Sequence, residues 1–261
     1  MPSVRLTLAG IALSSLLFSS PPATPQDTTN PSDHAGKTVK LADFTPAQAL
    51  NGQPALPRGW TLKVWQGQPD VQLLGENGEN VLRLRSDKTA VSIYREAKLD
   101  LNRHPILSWK WKVTQIPPEG DARVQNRDDQ AAGLYVIFPR FPTFVNSQLI
   151  GYIWDSNVPA GTVLQSKKNA LVHYIVVRSG SQDLNQWITE ERNVLEDYRR
   201  VFGQNPPDVG GISVMIDTDD TRAAAESYFA KIEFSETSAA NLQPPPNRFV
   251  KFQQPELVLP K

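Results

Sequence analysis

Strict alternation of apolar and polar residues over residues 107–113 is the feature that most constrains the fold of this chain. Successive side chains of a β-strand point to opposite faces of its sheet, so the pattern indicates a strand with one buried and one solvated face. The apolar positions are Leu107, Trp109, Trp111 and Val113, and the positions between them are Ser108, Lys110 and Lys112. We expect Trp109 and Trp111 to pack in a core rather than to form an exposed platform.

Seven further segments have strand character and are separated by turns rich in proline and glycine. They are residues 60–65, 81–85, 133–138, 149–154, 171–178, 212–217 and 228–234. Glu190 and Glu191 at the start, Arg199 and Arg200 at the end and Gly203 after them are typical of a helix near residues 190–203, with Thr189 as its cap. The sequence therefore predicts an all-β fold, an antiparallel β-sandwich with one inserted amphipathic helix.

Two of these predicted strands, at residues 134–138 and 171–177, are apolar on both faces. One face of such a strand meets the opposite sheet, and the other face must also be covered. We expect the 190–203 helix, the C-terminal tail or a ligand to cover it.

The two ends of the chain differ in composition from its middle. Residues 1–26 combine Arg5, a short apolar run and small residues, which indicates an export signal too short to serve comfortably as a membrane span. Residues 27–40 are predicted to be a linker, residues 41–236 the sandwich domain and residues 237–261 a proline-rich tail. This organisation predicts a periplasmic or extracellular protein without stable membrane insertion after removal of the signal.

Composition and missing motifs exclude several classes of function. The chain has 27 basic and 27 acidic residues, whereas nucleic-acid-binding proteins usually carry an excess of basic charge. The absence of cysteine excludes disulfides, thiol catalysis and iron–sulfur clusters. No glycine-rich nucleotide motif or paired-histidine zinc motif is present, so we expect neither a cofactor nor a metal.

Carboxylates lie at the ends of two predicted strands. Asp128 and Asp129 precede the strand at 133–138, and Asp217, Asp219 and Asp220 end or follow the strand at 212–217. Such groups can converge to accept hydrogen bonds from sugar hydroxyls, and in a glycosidase Asp129 and Asp219 would form the catalytic pair. Their commonest use is to cap turns through the local backbone, and this alternative stays open.

Four other side chains are candidates for ligand contact. Trp154 ends a strand next to Asp155, where its ring could stack on a ligand. Arg178 ends a mostly apolar strand and is expected to meet a carboxylate or an anionic ligand. Arg192 and Asp197 are predicted to share the helix, where they contact the ligand or form a solvated face.

Four blocks of sequence carry a family likeness: residues 107–113, 128–136, 187–203 and 212–221. In this order they resemble the bacterial exported family catalogued as domain of unknown function 3047. Family members more often have Asp-Asn-Thr where this chain has Asp219, Asp220 and Thr221. The resemblance implies a jelly roll similar to galactose-binding-like domains, a fold widely used for carbohydrate recognition, and it implies no mechanism.

These observations favour an exported, non-catalytic binding protein that recognises a saccharide or another polar cell-envelope ligand. The predicted ligand-binding residues are Asp129, Trp154, Arg178, Arg192, Asp197 and Asp219. One alternative is a glycoside hydrolase or lyase that uses a carboxylate pair. Another is a structural envelope protein with a protein partner, in which the Asp–Arg clusters are internal ion pairs.

Overall fold

The computed structural model describes residues 38–46 and 55–236, so the predicted signal peptide and C-terminal tail lie outside the described residues. The strands are β1 (Thr38–Ala42), β2 (Thr61–Gln66), β3 (Asp70–Glu76), β4 (Glu79–Asp87), β5 (Ala90–Leu99), β6 (Ile106–Gln115), β7 (Ala132–Phe138), β8 (Gln148–Asp155), β9 (Val163–Gln165), β10 (Val172–Ser179), β11 (Ile188–Asn193), β12 (Val209–Asp217) and β13 (Ala224–Ser235). The α-helices are α1 (Thr143–Asn146) and α2 (Val194–Phe202). Because β1 begins at Thr38, the last residues of the predicted linker belong to a sheet.

The described strands form two sheets, which confirms the predicted sandwich. One sheet has the order β11-β6-β13-β4-β3, with β1 also paired to β13. The other has the order β2-β5-β12-β7-β8-β10-β9. The strand pairs are antiparallel as predicted except for β8 and β10, which pair in parallel. The segment that joins β8 to β10 includes β9, which allows the chain to return in the same direction.

The core lies between the inner faces of the two sheets. Trp109 and Trp111 are 0% exposed, as the alternation predicts. The Trp111 ring lies 5.8 Å from that of Trp154 and 6.1 Å from that of Phe229, so aromatic contacts join both sheets.

The outer face of β7, β8 and β10 carries a second apolar cluster that includes Tyr135, Ile153 and Tyr174. Ala122 and Val158, from the loops before β7 and after β8, belong to this cluster, and Leu164 of β9 packs against it. The expectation that a helix at 190–203 covers this face is wrong, because the buried apolar residues of α2, Val194 and Tyr198, pack into the main core instead.

The helix is shorter than the prediction. It begins after Asn193, whose side chain accepts a hydrogen bond from the backbone N–H of Glu196, and ends at Gly203 with φ of 67°. Residues 188–193 form β11 instead, where Glu190 pairs with Trp109 and Arg192 pairs with Leu107. Backbone hydrogen bonds to β6 therefore override the helical charge pattern at these positions. Neither helix in the described part of the chain is long and apolar enough to cross a membrane.

Candidate functional site

The two acidic clusters predicted from the sequence converge beyond the ends of β7 and β12. Carboxylate oxygens of Asp129, Asp219 and Asp220 lie within 4.8 Å of one another. Asp129 is 0% exposed and accepts hydrogen bonds from the backbone N–H of Asp220 at 3.2 Å and of Thr221 at 2.7 Å. The Thr221 hydroxyl donates a third bond at 2.5 Å. Asp129 therefore fastens the loop after β12 to the segment before β7.

These carboxylates could serve as oxygen ligands for a hard cation, although the sequence predicts no metal. The protein supplies a positive charge of its own, because Lys168 Nζ lies 2.5 Å from Asp220 Oδ2. Burial lowers the pKa of Lys168, but its hydrogen bond with Asp220 and the neighbouring carboxylates outweigh burial and raise the pKa overall. Lys168 is thus held in its charged form against the cluster.

Burial makes ionisation of three aspartates in and beside this cluster unfavourable. It raises the pKa of Asp128 to about 6, against hydrogen bonds from Gln130 and Tyr174 that act to lower it. Burial and the nearby Asp219 carboxylate raise the pKa of Asp217 well above its ordinary value. The pKa of Asp220 is also raised, first by burial. Asp128, Asp217 and Asp220 therefore retain protons at a pH where exposed aspartates have lost them.

Arg192 and Asp197 form an ion pair that joins β11 to α2. Arg192 Nε lies 2.9 Å from Asp197 Oδ2, and Nη2 lies 2.5 Å from Oδ1. Tyr152 donates its hydroxyl hydrogen to the same Oδ2 at 2.9 Å, and the guanidinium lies 5.9 Å from the Tyr152 ring. Asp197 is only 5% exposed, so it holds an internal ion pair and does not make the ligand contact that the sequence predicts.

Arg178 meets carboxylates, which is one of the two outcomes expected for it. Its Nε lies 2.7 Å from Glu190 Oε1, and its Nη1 lies 3.0 Å from Asp183 Oδ2. Glu190 Oε1 also accepts a bond from the Trp111 indole at 3.3 Å. Arg178 therefore helps to hold the edge strand β11 against the other sheet.

The expectation that Trp154 stacks on a ligand is wrong. Trp154 is 1% exposed, and its indole N–H donates to the carbonyl of Gly180 at 2.9 Å. Its ring packs against Trp111 in the core, because its position in β8 points toward the opposite sheet.

Two cavities among the described residues do not bring the predicted residues together. An open cavity of about 440 Å³ lies among the loops at Glu119, Arg123, Arg127 and Asn157. A second cavity, of about 190 Å³, lies between β10 and β11 and includes Arg192. Neither cavity includes Asp129 or Asp219.

A row of aromatic and polar side chains, which the sequence did not predict, lies on the outer face of the six-stranded sheet. Lys112 pairs with Tyr228, Tyr228 with Arg83, and Arg83 with Gln72, so these residues lie opposite one another across four strands. Trp187 directly precedes β11 and lies beside Lys112. The Nζ atom of Lys112 is 4.8 Å from the centroid of the Trp187 ring. We call Trp187, Lys112, Tyr228, Arg83 and Gln72 the aromatic row. It extends from the residue before β11 across four further strands, or about 19 Å at about 4.8 Å per step.

The tip of the β3–β4 hairpin holds one end of the aromatic row. Asn77 and Gly78 both have positive φ, which turns the hairpin tightly between Glu76 and Glu79. Glu76 Oε1 accepts bonds from the Trp187 indole at 3.0 Å and from Lys112 Nζ at 3.0 Å. The Trp187 and Tyr228 ring centroids are 6.5 Å apart, with Lys112 Nζ 4.5 Å from the Tyr228 centroid.

The other end of the aromatic row is a polar network. Arg83 Nη1 donates to Gln72 Oε1 at 3.0 Å, and the same guanidinium forms ion pairs with Asp70 and Glu226 at 3.1 and 3.2 Å. Thr114 donates its hydroxyl hydrogen to Glu226 at 2.7 Å. The alternation in residues 107–113 predicts that Lys112 lies on a polar face, but no local signal shows that Trp187 joins it.

Solved structures that are similar to this chain include carbohydrate-binding modules. Among curated proteins, no sequence matches this chain. Two solved carbohydrate-binding modules from Clostridium thermocellum cellulosomal cellulases are similar, each at 10% identity over 78% of this chain. The family 30 module of Cel9D-Cel44B is covered over 99% of its length with a TM-score of 0.43, and the family 11 module of Lic26A-Cel5E over 96% with 0.41.

The xyloglucanase domain of NopAA, a type three effector from Sinorhizobium fredii, is also similar, at 13% identity and with a TM-score of 0.42. The similarity covers 75% of this chain and 99% of that domain. The strand order and the strand registers of this chain by themselves define the sandwich. The model of the family described as protein of unknown function (DUF3047) matches residues 58–233, so the chain belongs to this family.

Proposed function

We propose that this protein is a non-catalytic saccharide-binding protein whose recognition surface is the aromatic row on the six-stranded sheet. The observation that carries the proposal is the position of Trp187 and Tyr228, half-buried and 6.5 Å apart in a row whose other members have charged or amide side chains. Export remains part of the proposal and rests on the predicted signal peptide.

The row combines the two kinds of contact that a sugar needs. Aromatic rings provide a flat apolar surface for the C–H groups of a pyranose ring, with a polar edge on tryptophan and tyrosine. Carboxylates, guanidinium and amide groups provide acceptors and donors for hydroxyls. A length of about 19 Å suits several linked sugar units rather than one.

Ion pairs hold these side chains in place before a ligand binds. The Lys112 side chain is 15% exposed and is fixed by Glu76, and the Arg83 side chain is 16% exposed and is fixed by Asp70 and Glu226. Fixed side chains lose little conformational entropy on binding, so more of the interaction energy contributes to affinity. Because each cation has a carboxylate partner, the surface favours a neutral saccharide over an anionic one.

Binding without catalysis fits the Asp129–Asp219 geometry better than hydrolysis does. Their oxygens lie within 4.8 Å, near the separation of about 5–5.5 Å in retaining glycosidases. However, Asp129 is fully buried and already accepts three hydrogen bonds, so it has no access to a substrate. The Arg192–Asp197 pair is likewise internal, so we assign these residues to structure rather than to ligand contact.

The test compares the variants Trp187→Ala and Tyr228→Ala with the unmodified protein on oligosaccharide arrays and by affinity electrophoresis in soluble polysaccharides. Each variant removes stacking area, so we expect binding to weaken by roughly tenfold or more. Trp65→Ala is the matched control, because Trp65 is also half-buried, lies under a lysine at 5.1 Å and donates its indole N–H to Ser92, but belongs to the other sheet.

Two outcomes would contradict the proposal. One is that the unmodified protein binds no neutral saccharide at millimolar concentration. The other is that Trp65→Ala weakens binding as much as Tyr228→Ala does, which would place recognition elsewhere on the molecule.

A further inference from the structure

The two rings of the aromatic row are steeply inclined to each other. The planes of the Trp187 and Tyr228 rings make an angle of 71°, with the ring centroids 6.5 Å apart. A pyranose ring stacks with its mean plane roughly parallel to the aromatic ring, because its C–H groups then meet the negative π face. Two sugars that stack on these two rings must therefore have planes that are inclined to each other as well.

Neighbouring groups fix this inclination before a ligand binds. The Trp187 indole N–H donates to Glu76 at 3.0 Å. Lys112 Nζ lies 4.8 Å from the Trp187 centroid and 4.5 Å from the Tyr228 centroid, and Lys110 Nζ lies 5.2 Å from the Trp187 centroid. Rotation of either ring would break contacts with these cations, so the angle belongs to the protein without its ligand.

The angle distinguishes flat saccharide chains from turned ones. In a β-1,4-linked chain of glucose or mannose, successive pyranose rings lie close to one plane, so the chain can stack on only one of the two aromatic rings. In a β-1,3-linked or α-1,4-linked glucan, each linkage turns the next sugar plane relative to the last. Units of one such chain can therefore stack on Trp187 and Tyr228 together.

We propose that the aromatic row selects neutral glucans with turned linkages over flat β-1,4-linked chains. This inference rests on the proposed saccharide-binding function and adds the class of ligand to it. A flat chain keeps the hydrogen bonds of the row but loses one of two stacking contacts, so we expect it to bind roughly tenfold more weakly.

The preference arises at the two rings and not at the polar end of the row. Arg83 and Gln72 offer hydrogen bonds to hydroxyl groups, which turned and flat chains both carry. A protein with only one of the rings should therefore bind both kinds of chain weakly and nearly equally. The ratio of the two affinities thus reports on the ring angle, whereas a single affinity reports only on binding.

The experiment measures the dissociation constants of four neutral hexasaccharides for the purified protein by isothermal titration calorimetry. Laminarihexaose is β-1,3-linked and maltohexaose is α-1,4-linked, whereas cellohexaose and mannohexaose are β-1,4-linked. We expect one or both of the turned hexasaccharides to bind roughly tenfold more tightly than either flat one. Comparison of laminarihexaose with maltohexaose then shows which turned linkage the row prefers.

Two variants test the cause of the preference. Tyr228→Ala leaves a single ring, so the tenfold ratio between turned and flat chains should fall toward one. Glu76→Ala keeps both rings but removes the acceptor of the Trp187 indole, so the ratio should fall here too. The Glu76 side chain is 34% exposed, and this variant should therefore fold. Trp65→Ala removes a half-buried ring from the other sheet and is the matched control, with an unchanged ratio.

The outcomes separate this inference from the proposed function. Equal affinity for all four hexasaccharides, or tighter binding of cellohexaose, would overturn the preference for turned chains and leave saccharide binding in place. A ratio that Tyr228→Ala leaves unchanged would also overturn the inference, because the preference would then not depend on the ring angle. Absence of binding to any neutral saccharide at millimolar concentration would overturn both.

Discussion

At the scale of single residues, the buried Asp129 carboxylate stabilises the fold by holding the loop after β12. A carboxylate can accept several hydrogen bonds, and here three donors from residues 220–221 use that capacity. Its burial then becomes tolerable, because the desolvation cost is offset by these bonds. The same loop brings Asp219 and Asp220 against it.

We expect Asp129→Asn to destabilise the protein by about 2–3 kcal/mol. The amide keeps one acceptor oxygen, but its NH₂ group would face the Thr221 N–H or hydroxyl and leave buried donors without partners. Relief of repulsion among the neighbouring carboxylates only partly compensates. Urea-induced unfolding followed by tryptophan fluorescence measures the change, with Asp208→Asn, at an exposed loop position, as the control. An unchanged unfolding midpoint would show that Asp129 does not hold the loop.

At the scale of elements, the segment from β11 to α2 couples the two sheets. Strand β11 extends the six-stranded sheet at its edge, and α2 follows without a loop after Asn193. Tyr198 of α2 lies 4.5 Å from the Phe138 ring at the end of β7. The Arg192–Asp197 pair then joins the strand to the helix over the hydroxyl of Tyr152.

Arg192→Ala should lower the free energy of unfolding by roughly 2–3 kcal/mol, because it leaves Asp197 buried without its cation. Breaking a fully buried pair costs about 3–5 kcal/mol, and we expect less here because 32% of the Arg192 side chain is exposed. Thermal unfolding compared with Arg199→Ala measures the effect. An equal melting temperature for the two variants would mean that the pair contributes nothing to the docking of α2.

At the scale of the whole molecule, charge is balanced but not evenly distributed. The chain has as many basic as acidic residues, yet Asp128, Asp129, Asp217, Asp219 and Asp220 gather around Lys168. Because burial raises the pKa of Asp128, Asp217 and Asp220, these three groups bind more protons in the folded protein than in the unfolded chain over part of the pH range. The stability that these groups contribute is complete at low pH and is lost as the pH rises.

For Asp128 the window of this loss extends from its ordinary pKa of 3.8 to about 6. Across this window Asp128 contributes a fall in the free energy of unfolding of up to about 1.4 kcal/mol per pH unit. Asp128→Asn cannot titrate, so the free energy of unfolding of the unmodified protein should decrease relative to that of the variant between pH 4 and pH 6.5. Chemical unfolding of both proteins at a series of pH values measures this difference. A difference that does not change with pH would show that Asp128 is not protonated in the folded state.

Much of the fold is predictable from the chain because β-structure has a period of two that is visible locally. Residues 107–113 show it fully, and the neighbouring segments show enough of it to predict a sandwich. The prediction failed at residues 190–193, where acidic residues followed by apolar ones have a helical pattern. Only the available edge of β6, a feature far away in the sequence, makes them a strand.

By itself, the sequence determined the class of fold, the polar face of β6 and the presence of carboxylates at two strand ends, because strand ends and alternation are local properties. Only the tertiary structure decided that Trp154 belongs to the core and Trp187 to the surface. Trp187 and Glu76 are separated by 111 positions in the chain, and their contact exists because two strands at opposite edges of one sheet approach across its face. Such pairings depend on strand order, which no short stretch of residues specifies.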